Sequence, residues 1–596
     1  MEAVEKKLRI KPSKGSWKRF YRLLASSKIP WLLVFLTIAL SLSGSRIGAI
    51  FPDFQRRITG GDLSTQTLLT ALGIMSVSII LTAVNDWLNG YTRHLITKRL
   101  IDKIWAKILA LPLSTYQKIE PKELISRTTT DTSSLSAIFI TLISNVLTNS
   151  YALYLSLGYV FSYHSTLGYV LLAMIPLMLI EKLIQGRISF RFAYSQQMRL
   201  AKLTEYLSQI LINIPLVKVF VKEKHEKKRG RQAIEEYNKA RFKVEVLDIV
   251  FTGFDSALMT LNNILAVVIG GALVAKGEID TGTWIAFYMY SSAVNSSVLL
   301  IAQMWPMLKQ AQGAVDRITE VMENESEPYS GQPIAQNEGD LCFENVSFSY
   351  GEKAVLKNLN FCIKEGSFVA VVGASGAGKT SLLALIERFF KPQSGQITIG
   401  GQDIQDFDLQ EWRSSFGYVT QEINLFSGTL RDAFTYGMDP IPDDKEILLA
   451  AKAAQLDEFI AAQADGLDTP VAEGGMTFSG GERQRFIIAR VLLQQPKRLL
   501  LDEATSNLDS EAEYEVMSVL SELANNRTTI CVAHRLSTVR NADQIIVLDQ
   551  GEIKAVGKHA ELMENCSLYR ELVNVELLPE TEDRNLQQIS NMQEVE

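Results

Sequence analysis

Long apolar runs alternate with polar, mostly basic stretches through the first half of the chain. A helix needs about 20 mainly apolar residues to cross the hydrocarbon core of a bilayer. Six stretches reach or approach that length, the fourth being the shortest, at residues 31–50, 67–88, 137–161, 167–183, 249–275 and 284–308. The pattern therefore predicts six membrane-spanning helices.

Two of the polar stretches between these spans, 89–136 and 184–248, are long and contain few Gly or Pro residues. They favour helices that continue beyond the membrane and turn back through short crosswise helices, near residues 114–127 and 214–220. A solvated amphipathic loop would give a similar pattern, and the sequence leaves that alternative open.

Lys and Arg are concentrated before the first span and in the two long loops, whereas SYHST (162–166) has neither and KGEIDTGT (276–283) has one. The positive-inside rule therefore predicts a multi-pass protein of the cell membrane with both termini in the cytoplasm. A basic first segment could also bind nucleic acid, but the apolar run directly after it favours a membrane flank, so no nucleic-acid partner is expected.

Polar residues inside the apolar runs are candidates for a substrate cavity, because such groups are costly to bury in lipid. Asp248, Asp255 and Asn262 are spaced by seven residues and so share one face of the fifth span, and Asn295 lies in the sixth. The alternative is that these groups only form hydrogen bonds between helices. We favour that alternative for the asparagines and the cavity for Asp255.

In the second half, a buried-strand pattern (SFVAVVG) runs into GASGAGKT and then into the helical run TSLLALIERFF. A strand, a GxxxxGK[ST] loop and a helix in this order are the context of a phosphate-binding loop. Lys379 should reach the β- and γ-phosphates of ATP, and Thr380 should ligate Mg²⁺. The residues expected to hold the nucleotide here are Gly373, Ser375, Gly376, Gly378, Lys379, Thr380 and Ser381.

A second apolar run, LLLDE, ends in two acids at Asp502 and Glu503. The spacing to the phosphate loop suits an ATPase in which Asp502 helps to hold Mg²⁺ and Glu503 polarises the attacking water. Downstream, His534 follows the strand pattern TTICVA, at the end where a parallel sheet places its ligands.

These motifs, together with FSGGE (478–482), YVTQ, SNLD and VAHR, resemble those of the ATP-binding cassette (ABC) transporter superfamily. The resemblance is to exporter half-transporters of the bacterial multidrug type and covers nearly the whole chain. It implies an α-helical six-span transmembrane domain followed by an α/β P-loop nucleotide-binding domain. The expected divisions are a basic segment (1–28), the transmembrane domain (29–320), a linker (321–340), the cassette (341–578) and an acidic, disordered tail (579–596).

The resemblance also implies roles for individual residues. Tyr350 would stack on adenine, and Gln421 would contact Mg²⁺ and the attacking water. Asp509 would lie at the dimer seam, and His534 would bind the γ-phosphate. The signature loop would bind the γ-phosphate held by the other subunit, through Ser479, Gly480, Gly481 and Glu482.

Several positions depart from the family pattern. The signature begins with Phe478 instead of Leu and ends with Glu482 instead of Gln, and Ala433 replaces a common Asn. Ala472 and Lys122 each stand where Gly is common, the latter in the first inner turn. The Ser-Gly-Gly core of the signature is intact, so a working signature loop is expected.

The four cysteines lie in the second half without the spacing of a metal site. Cys362 and Cys531 occur in apolar strand-like runs and are expected to be core residues in a reducing cytosol.

The leading hypothesis is a homodimeric, ATP-driven exporter of amphipathic compounds with two composite ATP sites. A lipid flippase, a small-peptide exporter, one half of a heterodimer and an ATP-gated channel or sensor remain open. The six spans exclude a soluble cassette ATPase.

Overall fold

The computed structural model describes residue 22 and residues 29–334, 339–420, 425–472, 478–502, 518–525, 527–533 and 536–574. These residues form two compact units. The first contains the chain up to Ala110 together with Ile119–Asn324, and the second contains Leu111–Lys118 together with the chain from Glu325 onward.

The first unit is helical, and six of its described helices are long and apolar enough to cross a membrane, as predicted. Its helices are α1 (Trp31–Thr59), α2 (Thr65–Leu109), α4 (Pro121–Ser126), α5 (Thr132–Tyr163), α6 (Ser165–Ile212), α7 (Ile214–Val219), α8 (Glu223–Ala275) and α9 (Thr281–Glu323), and a π-helical turn, Arg127–Asp131, joins α4 to α5.

Four of these helices are much longer than a bilayer is thick. The lengths of α2, α6, α8 and α9 are 45, 48, 53 and 43 residues, or about 65–80 Å at 1.5 Å per residue. Short helices make the turns between them, namely α4, α7 and, within the second unit, α3 (Leu113–Tyr116). The predicted helical extensions and the short helices at their turns are therefore confirmed, and the amphipathic-loop alternative is wrong.

An apolar cluster from α5, α6, α8 and α9 packs inside the first unit, with Phe287 and Tyr290 among its fully buried side chains. The Tyr290 hydroxyl donates to the carbonyl oxygen of Ala49 at 2.7 Å, so its polar atom is satisfied inside the bundle. At the other end of α9, Arg317 makes a two-pronged ion pair with Asp131, at 2.6 and 2.7 Å. These contacts fix α9 at both ends within its unit.

The second unit is built on two main sheets. One is antiparallel, in the order β2-β1-β4-β5, and the other has the order β12-β11-β3-β10-β9-β6, in which only β12 is antiparallel. Its strands are β1 (Leu341–Tyr350), β2 (Lys353–Ile363), β3 (Phe368–Val372), β4 (Ser394–Ile399), β5 (Gln402–Asp403), β6 (Phe416–Val419), β7 (Gly428–Thr429), β8 (Pro470–Val471), β9 (Arg498–Asp502), β10 (Thr528–Val532), β11 (Gln544–Asp549) and β12 (Glu552–Gly557).

Side chains on the two faces of β3 enter two separate apolar cores. Ala370 and Val372 belong to one core, and Val369 and Val371 to the other, as strand alternation requires. Besides α3, the described helices of this unit are α10 (Lys379–Ile386), α11 (Leu409–Ser414), α12 (Leu430–Thr435), α13 (Asp444–Ala453), α14 (Asp457–Ala461), α15 (Gly480–Gln494), α16 (Leu536–Arg540), α17 (His559–Asn565) and α18 (Ser567–Leu572).

The cysteines follow the prediction only in part. Cys531 is buried in the parallel sheet, as expected. Cys362 is exposed on β2 and forms a disulfide with Cys342, its direct cross-strand neighbour on β1. The prediction that Cys362 is a core residue is therefore wrong, because strand alternation turns its side chain away from the buried face that holds Phe361 and Ile363.

Candidate nucleotide-binding site

The carboxyl ends of four parallel strands meet at one edge of the larger sheet. Val532 of β10 lies between Val371 of β3 and Asp502 of β9, and Val419 of β6 is paired with Leu501. Loops that leave such strand ends converge, and open parallel sheets bind their ligands there. The phosphate loop follows β3 at this edge.

Two glycines explain why the phosphate loop has its sequence. A Cβ added to Gly373 would lie 2.0 Å from the carbonyl oxygen of Leu548, so no side chain fits there. Gly376 has a φ of 80°, a left-handed conformation that costs glycine little. The loop backbone can therefore turn tightly between β3 and α10.

Lys379 is the first residue of α10, and its side chain lies inside the phosphate loop. Its ammonium nitrogen donates to the carbonyl oxygens of Gly373 at 2.5 Å and Ala374 at 3.4 Å. A helix N-terminus attracts anions through its free N–H groups, and the lysine adds a full positive charge. Thr380 is exposed beside it, so its hydroxyl is accessible to a ligand.

Tyr350 ends β1 beside the phosphate-loop helix. Its ring makes edge contacts with Phe348 and Phe390, at centroid distances of 4.8 and 5.1 Å. Its hydroxyl lies 3.4 Å from the Oγ atom of Ser381, which is itself buried. Tyr350 is 38% exposed, which leaves aromatic surface available for a base to stack on. Ser381 therefore orients Tyr350, and its burial makes it less accessible to phosphate than Thr380.

Asp502 lies at the end of β9 and is 4% exposed. A carboxylate here and a hydroxyl at Thr380 are oxygen donors, which suit Mg²⁺. Within the described residues, no group of three or more His, Cys, Asp or Glu residues could hold a metal ion. Mg²⁺ is commonly bound through one or two protein oxygens, water and the phosphates of the nucleotide, so two such donors would suffice.

The signature loop ends in a well-formed helix start. Ser479 caps α15: its Oγ accepts from the N–H of Glu482 at 3.2 Å, while the Glu482 carboxylate accepts from the N–H of Ser479 at 2.7 Å. Ser479 is exposed, so its hydroxyl is accessible from outside the cassette. The unusual Glu482 thus has a structural role in shaping the loop.

Two other departures from the family pattern are accommodated by packing. Phe478 is 8% exposed, and its ring lies 5.4 and 5.2 Å from the rings of Phe459 and Phe486. Ala433 is 6% exposed within α12 and belongs to the same apolar core. Both side chains are therefore packed in an apolar environment.

Four predicted site residues lie outside the described residues, namely Gln421, Glu503, Asp509 and His534. The strands that lead to three of them, β6, β9 and β10, all end at the edge that carries the phosphate loop.

Sequence reasoning missed a buried carboxyl group near the site. Glu387 directly follows α10 and is 7% exposed. Burial raises its pKa to about 8; the nearby Arg413 opposes this rise, and the negative charge of Asp502 adds to it. A charged residue at the end of the otherwise apolar run TSLLALI was the available signal.

The predicted cavity residues of the spans have separate surroundings. Asn262 is buried and donates to the Oγ atom of Ser291 at 2.6 Å, the interhelical hydrogen bond that was favoured for it. Asn295 is half-buried on α9. Asp255 forms an ion pair with Lys182, whose ammonium group also lies 3.3 Å from Glu181 and donates to Gln185 at 2.7 Å.

This group of two acids and one lysine was not predicted. The fourth apolar run ends at these charges, but α6 continues through them to Ile212. Both carboxylate oxygens of Glu181 are buried. The cluster Glu181, Lys182 and Asp255, which we call the α6–α8 charge cluster, carries one net negative charge when all three groups are ionised.

Comparison with known proteins agrees with this site. Residues 356–506 match the family described as ABC transporter, and residues 31–298 match the ABC transporter transmembrane region. A multidrug resistance ABC transporter ATP-binding and permease protein of Lactococcus lactis subsp. cremoris is 30% identical over 95% of this chain and 96% of its own length. An ATP-dependent lipid A-core flippase of Albidiferax ferrireducens is 31% identical over 94% of this chain and 99% of its own.

A solved structure of a bacterial Atm1-family ABC exporter with ATP bound has a TM-score of 0.79 and 25% identity, over 91% of this chain and 98% of that one. These full-length similarities indicate the same family as the cassette motifs and the six long helices. The chain belongs to the ABC transporters and is a multi-pass, ATP-binding and ATP-hydrolysing exporter of the multidrug or lipid-flippase type.

Proposed function

We propose that two copies of this chain form an exporter of amphipathic compounds with two composite ATP sites. One cassette contributes the phosphate loop to each site, and the other contributes Ser479 with the first turn of α15. The exposure of Ser479 at a capped helix start is the observation that carries this proposal. Its hydroxyl and the free N–H groups of that turn suit the open side of a γ-phosphate.

Within each site, the chain's own residues divide the chemistry. Lys379 and the loop N–H groups hold the β- and γ-phosphates, and Tyr350 stacks on the base. Thr380, Asp502 and Gln421 would hold Mg²⁺, which neutralises phosphate charge when bound. Glu503 orients and polarises the attacking water, and His534 binds the γ-phosphate.

Closure of two such sites would turn an inward-open transmembrane cavity outward, and hydrolysis would reset it. The basic inner loops support an orientation with both termini and the cassette in the cytoplasm. The names of the relatives, multidrug transporter and lipid A-core flippase, support an amphipathic substrate. The α6–α8 charge cluster supports a preference for cations.

Cross-linking tests the shared site. In a protein with the four native cysteines replaced, Ser479→Cys and Ala374→Cys should join two chains, and Glu503→Gln should increase the yield with ATP by blocking hydrolysis. The chain purified without any other subunit should hydrolyse ATP. A chain that is inert alone and active with a different subunit would instead establish a heterodimer.

A panel of a cationic amphiphile, a neutral amphiphile, a lipid A precursor and a short peptide tests the substrate class. The measurement is stimulation of ATPase activity in nanodiscs together with ATP-dependent uptake into inverted vesicles. Stimulation without uptake of any compound would favour a channel or sensor. Uptake of the lipid alone would favour a flippase.

A further inference from the structure

The described part of the linker is bound to the cassette unit along much of its length. The N–H of Gln332 donates to the carbonyl oxygen of Asp406 at 2.8 Å, and its own carbonyl accepts from Asp408 at 2.9 Å. Two residues later, the N–H of Ile334 donates to the Glu411 carboxylate at 2.8 Å. The linker is therefore attached to the turn before α11 and to α11 itself.

The strongest of these attachments is an ion pair. The Glu327 carboxylate accepts two hydrogen bonds from the Arg413 guanidinium, each of 2.8 Å. The two side chains are 10% and 26% exposed, respectively, and the Tyr329 hydroxyl also donates to Glu327 at 3.2 Å. Paired, charge-assisted hydrogen bonds fix orientation as well as distance.

The same guanidinium also caps the phosphate-loop helix. Its Nε and Nη2 atoms donate to the carbonyl oxygens of Glu387 at 3.1 Å and Arg388 at 3.2 Å, directly after the end of α10. The neighbouring indole of Trp412 donates to the Ile386 carbonyl at 2.7 Å. Helix ends leave such carbonyls without partners inside the helix, and a cation there is favourable. Arg413 thus joins the linker to the phosphate-loop helix.

The covalent path to the last spanning helix is short. Helix α9 ends at Glu323, and Glu327 follows four residues later, a reach of at most about 14 Å. Within its own unit, the end of α9 is held by the Arg317–Asp131 ion pair and by a pair between Arg127 and Glu320 at 2.9 Å. Between these two anchored points only a few residues can absorb movement.

We propose that Arg413 is a positioning residue that transmits nucleotide-driven displacement of the phosphate-loop helix to α9, through its ion pair with Glu327. On this basis Lys379 at one end of α10 senses the phosphates, and Arg413 at the other end moves the linker. Loss of the Glu327 charge leaves the Arg413 bonds to the Glu387 and Arg388 carbonyls in place, so the substitution separates nucleotide binding from transmission.

The test uses the full-length protein in nanodiscs, with ATP and vanadate to trap nucleotide. Two quantities are measured: the amount of radiolabelled nucleotide trapped and the trapping-induced change in hydrogen exchange of the transmembrane unit. We expect Glu327→Gln to trap at least half as much nucleotide as the unchanged protein but to lose at least two thirds of the exchange change per nucleotide trapped. Arg413→Lys keeps the positive charge but cannot make the paired hydrogen bonds to Glu327. It should give an intermediate exchange change per nucleotide trapped.

The matched control is Glu552→Gln, which removes one partner of the exposed Glu552–Lys554 pair (2.8 Å) on β12 and should behave as the unchanged protein. If Glu327→Gln showed the same exchange change per nucleotide trapped as the unchanged protein, the proposal would be overturned. Loss of ATP binding itself in that variant would also overturn it, because the pair would then belong to the nucleotide site. The proposal would also be overturned if the transmembrane unit of the unchanged protein showed no change in hydrogen exchange on trapping.

Discussion

The Glu482 carboxylate accepts a hydrogen bond from the backbone N–H of Ser479, and the Ser479 hydroxyl accepts one from the N–H of Glu482. This reciprocal pair forms the first turn of the signature helix α15. It explains how a carboxylate can replace the usual amide in the motif, since both side chains have an oxygen that accepts from the same N–H.

Glu482→Gln should therefore keep ATPase activity within about twofold, whereas Glu482→Ala should lower it by about fivefold. The loss of a cap costs about 1 kcal/mol, and the cost falls on the positioning of Ser479. ATPase activity at saturating ATP is the measurement. Glu446→Ala is the matched control, because Glu446 and Asp443 make the same reciprocal hydrogen bonds at the start of α13. Equal losses in the two alanine variants would mean that the effect is only one of helix stability.

Lys379→Ala and Tyr350→Ala should have different effects on nucleotide binding and on ATPase kinetics. The lysine provides the fixed positive charge of the phosphate loop, so its loss should abolish most nucleotide binding. The tyrosine provides stacking that ground state and transition state share, so its loss should raise the KM for ATP severalfold with a smaller effect on kcat. Steady-state kinetics and ATP binding separate the two. Equal falls in kcat with unchanged KM would contradict this division.

The buried carboxyl of Glu387 should make the stability of the cassette depend on pH. Its pKa is raised from the ordinary 4.5 to about 8, so between these values the folded state keeps a proton that the unfolded chain releases. The unfolding free energy should therefore fall as pH rises from about 5 to 8, with a slope of at most about 1.4 kcal/mol per unit from this group.

The Glu387→Gln variant has no titrating group at this position. The stability of the variant relative to the unchanged protein should therefore increase with pH over the same window. The thermal unfolding transition of the cassette at pH 5, 6.5 and 8 measures the difference, and the exposed Glu365→Gln serves as control. A difference that stays constant with pH would show that Glu387 does not hold the proton.

The α6–α8 charge cluster leads to opposite predictions for substitution of its aspartate and of its lysine. Asp255→Asn leaves Lys182 with Glu181 as its acidic partner and removes one negative charge, so stimulation by cationic amphiphiles should fall relative to neutral ones. Lys182→Met leaves two acids without their cation, so the same ratio should rise. ATPase stimulation by matched cationic and neutral compounds measures the ratio, and Arg241→Gln, in an exposed pair on α8, is the control. Parallel shifts in both variants would make the cluster purely structural.

The sequence by itself determined the features that depend on local chemistry. Apolar runs about as long as a bilayer is thick indicate spanning helices, because lipid requires a continuous apolar surface. The phosphate loop was predicted because its glycines and lysine act within eight consecutive residues. The reciprocal capping of Ser479 and Glu482 is equally local, since the two residues are three positions apart, although it was not predicted.

Tertiary structure alone decided which distant charges meet. Arg413 and Glu327 are 86 residues apart and Lys182 and Asp255 are 73 apart, and neither pair lies at a helical or strand spacing. The apolar strand pattern around Cys362 did not reveal its exposed face, and an acid after an apolar helix did not reveal the burial of Glu387. Burial and pairing depend on what the rest of the fold places around a side chain, and periodicity along one segment carries no information about that.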